Sequence, residues 1–362
     1  MYKVITVVGA RPQFVKAAAL SRELLNYPDI EEVIVHTGQH FDGKMSDVFF
    51  EEMDIPKPKY NLNINSLSHG AMTGRMIESI ENVLLEEKPN MLLVYGDTNS
   101  TIAGALAAKK LHIPVGHVEA GLRSFNMKMP EEINRILTDR ISDILFCPTD
   151  MAMKNLEKEG YNNLDNHVVR SGDVMQDAAL FYAKKSEVKS EVMQKENLLN
   201  TEFCLVTIHR AENTDDPSRL RSIFEALNQI NEECQVVLPL HPRTKKILKD
   251  LNIETTVSII EPVGYFDMIE LLKNCSFVMT DSGGLQKEAY FFSKKCITMR
   301  DETEWVELIA GGYNVIVGAD THKILYAYRE LNNSSPDFSV DLYGNGNASV
   351  NIVHAIKSFI EQ

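Results

Sequence analysis

Short β-branched runs alternate along the chain with longer segments whose apolar positions recur at helical spacing. KVITVVG (residues 3–9) reads as a buried strand, FVKAAALSRELLN (14–26) as the amphipathic helix after it, and EEVIVHTG (31–38) as a second strand. The clearest unit is NMLLVYGDT, NSTIAGALAAKKLH and IPVGHVEAG (90–121), a strand, a helix and a strand with short connections. A second set begins near residue 203: FCLVTIH, SRLRSIFEALNQIN, CQVVLPLH, YFDMIELLKNC, SFVMTD, GLQKEAYFFS and KCITMR alternate in the same way. Parallel strands need a crossover helix, and helices on both faces leave the strands buried, so this alternation predicts doubly wound parallel sheets. The expected fold is α/β, with two Rossmann-like domains facing each other across a cleft. Residues 1–168, joined by a C-terminal helix at 347–362, form one domain, and residues 169–346 form the other. The polar stretch KKSEVKSEVMQKENLLNTE (184–202) reads as a helix plus a connection separating the halves.

Composition narrows the function. The 362 residues include 51 acidic and 37 basic side chains, a formal charge of −14, which disfavours nucleic acid as a partner while leaving room for a local anion pocket. Five cysteines (Cys147, Cys204, Cys234, Cys275 and Cys296) are scattered without CxxC spacing, as expected of reduced thiols in a cytoplasmic protein. MYKVITVVGARPQF is apolar too briefly for a signal peptide, and no stretch has membrane-spanning length.

In open α/β sheets, ligands bind beyond the carboxyl ends of the strands. The residues that follow the expected strands are Arg11 and Lys16; Asp97; Glu119 and Arg123; His209 and Arg210; His241 and Arg243; Asp281 and Ser282; and Arg300. Each has an ordinary structural reading. Asp97 suits a cap for a helix starting near Asn99. Glu131 and Glu132 after Pro130 suit a helix start, and Arg135 stands at ion-pair spacing from Glu131. His241 and Arg243 suit a turn. Ionisable residues at every one of these ends are what the ordinary readings leave unexplained. TDSGGLQKEA is more specific: Ser282, Gly283 and Gly284 form a tight turn opening a helix, where free amides and the helix dipole favour phosphate. Glu288, one turn in, is placed for ribose hydroxyls. GARPQ holds no GxGxxG and the chain no GxxxxGK[ST], which argues against a nicotinamide cofactor and ATP hydrolysis. His40, His69, His117 and His209 are too dispersed for a metal site, so neither cofactor nor metal is expected.

Taken together, GARPQFVK, HTGQH, GDTNS, HVEAGLRS, MPEEINR, HRAEN, HPRT, EPVGY, DSGG and MRDETE, in this order, resemble the non-hydrolysing UDP-N-acetylglucosamine 2-epimerase family over nearly the whole chain. The resemblance implies the glycosyltransferase-B arrangement, a homodimer, no cofactor and a role in surface polysaccharide precursor synthesis. Carried over motif by motif, the family's catalytic carboxylates fall on Asp97, Glu119 and Glu131, with Glu132 a substitute for Glu131, and its histidine falls on His209. Its nucleotide contacts fall on Arg11, Ser282, Gly283, Gly284, Glu288 and Arg300, with Lys16 and His241 lining the same cleft. Members activated by their own substrate carry Arg-Gln where this chain has Ser68 and His69, so that regulation is not implied. TEWVE (303–307) in place of TERPE, and QKEA in place of QEEA, look more like the branch acting on UDP-2,3-diacetamido-2,3-dideoxy-glucuronic acid. A uronate needs one more cation, which Arg123, Arg210 or Lys287 would supply. A glycosyltransferase, a hydrolysing 2-epimerase and a binding-only module are the alternative readings.

Overall fold

Val4, Ile5, Val7 and Val8 are wholly buried in the first strand, which therefore has helices over both of its faces. The computed structural model describes residues 1–39 and 56–361, without the side chain of Arg11. His40 of HTGQH and the guanidinium of Arg11 therefore lie outside the described residues. Contacts divide the chain into two units, Met1–Ala178 with Asp341–Gln362, and Ala179–Val340.

In the first unit the strands are β1 (Tyr2–Val8), β2 (Ile30–His36), β3 (Tyr60–Asn61), β4 (Met91–Tyr95), β5 (Val115–Val118), β6 (Ile144–Cys147) and β7 (His167–Arg170). They pair in the order β3-β2-β1-β4-β5-β6-β7, each pair parallel. The second unit has β8 (Phe203–Thr207), β9 (Gln235–Pro239), β10 (Ser258–Ile260), β11 (Phe277–Thr280), β12 (Lys295–Thr298) and β13 (Asn314–Ile316). Its order is β10-β9-β8-β11-β12-β13, again parallel throughout. Both sheets reverse direction of growth once, at β1/β4 and at β8/β11, and these are the switch points where α/β sheets open a crevice.

Small residues set the helix positions. The helix Asn99–Lys110 has Ala103, Ala105, Ala107 and Ala108 fully buried, and a Cβ at Gly104 would lie 3.1 Å from Val94 Cγ1, so this helix packs tightly on the central strands. Each unit has its own apolar core, one around Ile5, Val35, Met76 and Leu92, the other around Val206, Phe224, Leu238 and Met279. Among the described residues no helix is long and apolar enough to cross a membrane.

Two expected boundaries move. The changeover falls after Ala178, not after residue 168, because β7 (His167–Arg170) still belongs to the first sheet. It falls inside one continuous helix, Val174–Lys189. The 184–202 stretch consequently does not separate the units. Ser186 Oγ donates to Glu270 (2.6 Å), Ser190 Oγ to Asp267 (2.6 Å) and Lys273 Nζ to Glu187 (2.8 Å), fastening the stretch to the second unit's helix Tyr265–Asn274. The chain returns to the first unit at Asp341, and its last helix, Ala348–Ile360, packs on Arg11–Leu24 and carries the Lys357–Asp29 ion pair (2.8 Å).

Candidate active site

At the β1/β4 switch point, buried Gln13 ties the two strand ends together. Its Oε1 accepts from the amides of Gly9 (2.8 Å) and Ala10 (3.1 Å), and its Nε2 donates to the Tyr95 carbonyl (2.6 Å). Lys16, one turn on, donates to the Gly96 carbonyl (3.3 Å) and forms a close ion pair with Glu119; both side chains are about one-tenth exposed. Glu119 itself follows β5 with a φ of 72°, a left-handed conformation that a non-glycine residue holds only where its surroundings enforce it. Here the amides of Glu119 and Ala120 both donate to the Phe146 carbonyl (3.1 and 3.0 Å). At Gly121 (φ 78°) a Cβ would meet the Ala152 carbonyl at 2.5 Å, so only glycine fits the turn.

Asp97 does not cap the helix that follows; Thr98 holds that position. The Asp97 carboxylate instead accepts from Arg135 Nε (3.0 Å) and Nη2 (2.5 Å). Arg135 turns its other nitrogen to Glu132 (2.7 Å), not to Glu131. Glu132 is wholly buried and also accepts from the Ser124 amide and hydroxyl and the Phe125 amide, between 2.9 and 3.1 Å. Burial pushes its carboxyl upward, but these amides and Arg135 outweigh burial and hold it below the usual carboxylate range. Glu132 is therefore a clamp for the Glu119–Phe125 loop and not a substitute for Glu131. Glu131 opens the helix Pro130–Ile141 half-buried, with no hydrogen bond from any described residue. Arg123 is committed as well: Asp139 (2.7 Å) and Glu159 (2.7 Å) hold its guanidinium. That removes it as a cation for a uronate.

In the second unit Asp281 does what Gln13 does in the first. It is buried beyond β11 and accepts from the amides of His209 and Arg210 (3.1 Å each) and from Asn213 (3.2 Å). Burial would raise its pKa; His209, the Arg210 amide and Asn213 more than offset that and hold it low. The His209 imidazole presents Nδ1 to Asp281 at 3.2 Å and is otherwise 57% exposed, leaving Nε2 available outward. Ser282 caps the helix Gly283–Phe291, its Oγ accepting from Leu285. A Cβ at Gly283 would come within 2.6 Å of Glu304 Oε1 and 3.7 Å of both Arg210 Nη2 and Arg300 Nη1, so two guanidiniums converge on the helix start. Arg300 is paired with Glu304 (3.1 Å). Tyr265 donates to Glu288 at 3.4 Å. His241 caps the helix Pro242–Asp250 through Nδ1, and Arg243 pairs with exposed Asp215. The two departures noted in the sequence touch: Lys287 Nζ stands 4.0 Å over the Trp305 ring, and Trp305 Nε1 donates to the Gly283 carbonyl (2.9 Å).

The UDP-N-acetylglucosamine 2-epimerase family model matches residues 22–357. The chain belongs to this family. It is 54% identical over 351 residues, 97% of this chain and 98% of the relative, to the UDP-2,3-diacetamido-2,3-dideoxy-D-glucuronate 2-epimerase of Pseudomonas aeruginosa. Identity to the UDP-N-acetylglucosamine 2-epimerase of Methanocaldococcus jannaschii is 42% over 364 residues, 98% of either chain. Among solved epimerases of the family, the fold matches that M. jannaschii enzyme in complex with UDP-GlcNAc and UDP at a TM-score of 0.86 and 42% identity, covering 98% and 99% of the chains. It matches the Neisseria meningitidis enzyme bound to UDP-GlcNAc at 0.87 and 32% identity, covering 98% and 100%.

Within this family member the candidates sort by unit. Asp97 and Glu119 follow β4 and β5, Lys16 pairs with Glu119, and Glu131 lies on the helix whose Arg135 holds Asp97; in the second unit His209 follows β8, Ser282, Gly283, Gly284 and Glu288 follow β11, Arg300 follows β12 and His241 follows β9. Sequence reading missed Gln13, which follows β1 but is not ionisable, and Asp139, which follows no strand. Asp139 lies mid-helix, and its only signal is an acid in the sequence TDR with no i+4 cation.

Proposed function

We propose that this chain is a non-hydrolysing UDP-sugar 2-epimerase that inverts C2 of a UDP-2-acetamido sugar. The observation that supports this above all is the pair of carboxylates at adjacent strand ends, Asp97 held by Arg135 and Glu119 held by Lys16, with Glu131, unpaired among the described residues, at the start of the helix that carries Arg135. C2–H is not acidic in the substrate, since no carbonyl adjoins it. As the C1–O bond to UDP breaks, C1 gains oxocarbenium character and the C2 proton becomes removable. A carboxylate takes that proton, leaving UDP and a 2-acetamidoglucal. A second carboxyl group returns a proton to the opposite face of C2 while a diphosphate oxygen re-forms the bond to C1. Negative side chains also offset the positive charge that develops at C1. Arg300 and the amides at Gly283 suit the departing diphosphate. His209, oriented by Asp281, suits protonation of the leaving group or a hydrogen bond to it.

The proposed substrate is the 2,3-diacetamido uronate. Identity to the P. aeruginosa enzyme of that name is 54%, against 42% to the M. jannaschii UDP-N-acetylglucosamine enzyme, and the runs that carry Trp305 and Lys287 resemble that branch. With Arg123 committed to Asp139 and Glu159, and Lys287 buried under Trp305, Arg210 is the cation left for the carboxylate. A homodimer is part of the proposal, supported by exposed Ile133 and Leu137 on the helix that carries Glu131. Cytoplasmic location and polysaccharide precursor synthesis enter on the family resemblance.

One assay tests the reaction. Each sugar nucleotide is incubated with the protein in D2O without an acceptor. Deuterium at C2 of intact nucleotide sugar, with the higher kcat/KM for the diacetamido uronate, is the expected result. Bulk release of UDP means a hydrolase, no change means a transferase or binder, and a preference for UDP-N-acetylglucosamine overturns the substrate assignment.

A further inference from the structure

Behind Glu119 lies a buried His–Asp couple. His117, at the third position of β5, places Nδ1 2.6 Å from Asp139 Oδ1, and both side chains are fully buried. Asp139 is itself fixed by the Gly121 amide (3.1 Å) and Arg123 Nη1 (2.7 Å), and is held below the usual carboxylate range: burial pushes it up, but His117 and Arg123 prevail. In the neutral imidazole, the anionic acceptor at Nδ1 makes that nitrogen the donor and leaves the lone pair on Nε2. No residue of the described chain hydrogen-bonds to this buried Nε2.

The lone pair opens onto Gly96. A Cβ built there would lie 3.4 Å from Nε2, 3.5 Å from the Glu119 carbonyl and 3.8 Å from Glu119 Oε2. The φ of Gly96 is not in the left-handed region, so the backbone there does not call for glycine. What glycine provides is room for one small group between imidazole and carboxylate. On the epimerase reading, Glu119 alternates between carboxylate and acid. Lys16 holds the carboxylate form, but an ammonium has no lone pair and cannot accept from the acid.

We propose that His117, oriented by Asp139, is a positioning residue for Glu119: through one water seated beside Gly96, its Nε2 accepts the hydrogen bond that the protonated Glu119 carboxyl group passes on. Lys16 then serves the anionic form of the proton carrier, and His117 serves the acid form. The proton taken from C2 stays on Glu119, and the imidazole gains no charge. The titratable groups around the couple are Asp139 with Arg123 behind it, Glu119 and Lys16 in front, Asp97 after β4, and Cys147 and Tyr161, whose thiol and phenol lie in the field of Asp139.

His117→Phe keeps a planar ring and removes the acceptor. The expected result is a kcat lower by about tenfold or more, short of the ~10²–10⁴-fold effect of a group that transfers the proton itself, with KM within about twofold of the parent. Losing an acceptor disfavours the acid form of Glu119, so the limb of the pH profile that reports its protonation moves to lower pH. His117→Gln supplies an amide oxygen and restores both rate and limb. Parent-like turnover in His117→Phe overturns the proposal. So do losses that follow a falling Tm in both variants with an unmoved pH profile. Failure of the epimerase reading is separately visible, because the parent protein would then put no deuterium at C2.

Discussion

Glu131 and Glu132 are neighbours in sequence and opposites in environment. Glu132 receives hydrogen bonds from Ser124, Phe125 and Arg135 in a fully buried position; Glu131 has none among the described residues and is half-exposed. Removing one partner of a buried ion pair costs about 3–5 kcal/mol, whereas a substitution at a position without partners stays within about 0.5 kcal/mol. Glu132→Gln should therefore lower the unfolding midpoint sharply, and Glu131→Gln should leave it in place while lowering turnover. Asp97→Asn, Glu119→Gln and Glu131→Gln are each expected to reduce kcat by about 100-fold or more, the scale of general acid–base groups. Steady-state kinetics beside a denaturation curve separates the two classes, and near-parent turnover in all three would remove these carboxylates from the chemistry. Which acid does which job was not legible in the sequence. Pro130-Glu131-Glu132 looks like any helix start, and only the packed loop shows that one side chain turns inward to the Ser124 amide. Arg123 was misjudged for the same reason, since its partners Asp139 and Glu159 come from elements far along the chain.

At the scale of elements, each switch point has its own fastener, Gln13 between β1 and β4 and Asp281 between β8 and β11, and each leaves the neighbouring strand ends free to carry chemistry. The turn that opens Gly283–Phe291 can be tested by its two glycines. A Cβ at Gly284 meets nothing within 4 Å, while one at Gly283 displaces the end of the Glu304 side chain from its place beside Arg300. Gly284→Ala should fold as the parent does. Gly283→Ala should also fold, since a flexible carboxylate can move aside, but should bind UDP at least about tenfold more weakly, about 1.4 kcal/mol. Calorimetric titration with UDP checks this, and equal affinity in Gly283→Ala would show that the turn does not hold the diphosphate. The longer strands and their crossover helices were legible because an apolar run of five to seven residues followed by a helical period has few other readings. β3, β10 and β13 span two or three residues each, too short to show any period, and they exist because a neighbouring strand offers a ladder to pair with.

At the scale of the whole molecule, the helix Pro130–Ile141 faces two demands. Its inner side supplies Glu132, Arg135 and Asp139, and its outer side exposes Ile133 (41%) and Leu137 (49%), with Phe125 (75%) and Met127 (60%) just before it. Apolar side chains left in water at helical spacing fit a surface that a second copy covers. Light scattering at micromolar protein should give a dimer mass, and Ile133→Glu with Leu137→Glu should shift it to the monomer; a monomeric parent would refute the assembly.

The first unit is built from two separate stretches of chain, with the second unit's residues 179–340 lying between them. On a ribosome the order of completion is therefore reversed. The second unit is whole once residue 340 has emerged, while the first, although translated earlier, waits for Ala348–Ile360 to cover the Arg11–Leu24 helix. A nascent chain arrested just short of that last helix would hold a finished second unit and an unfinished first one.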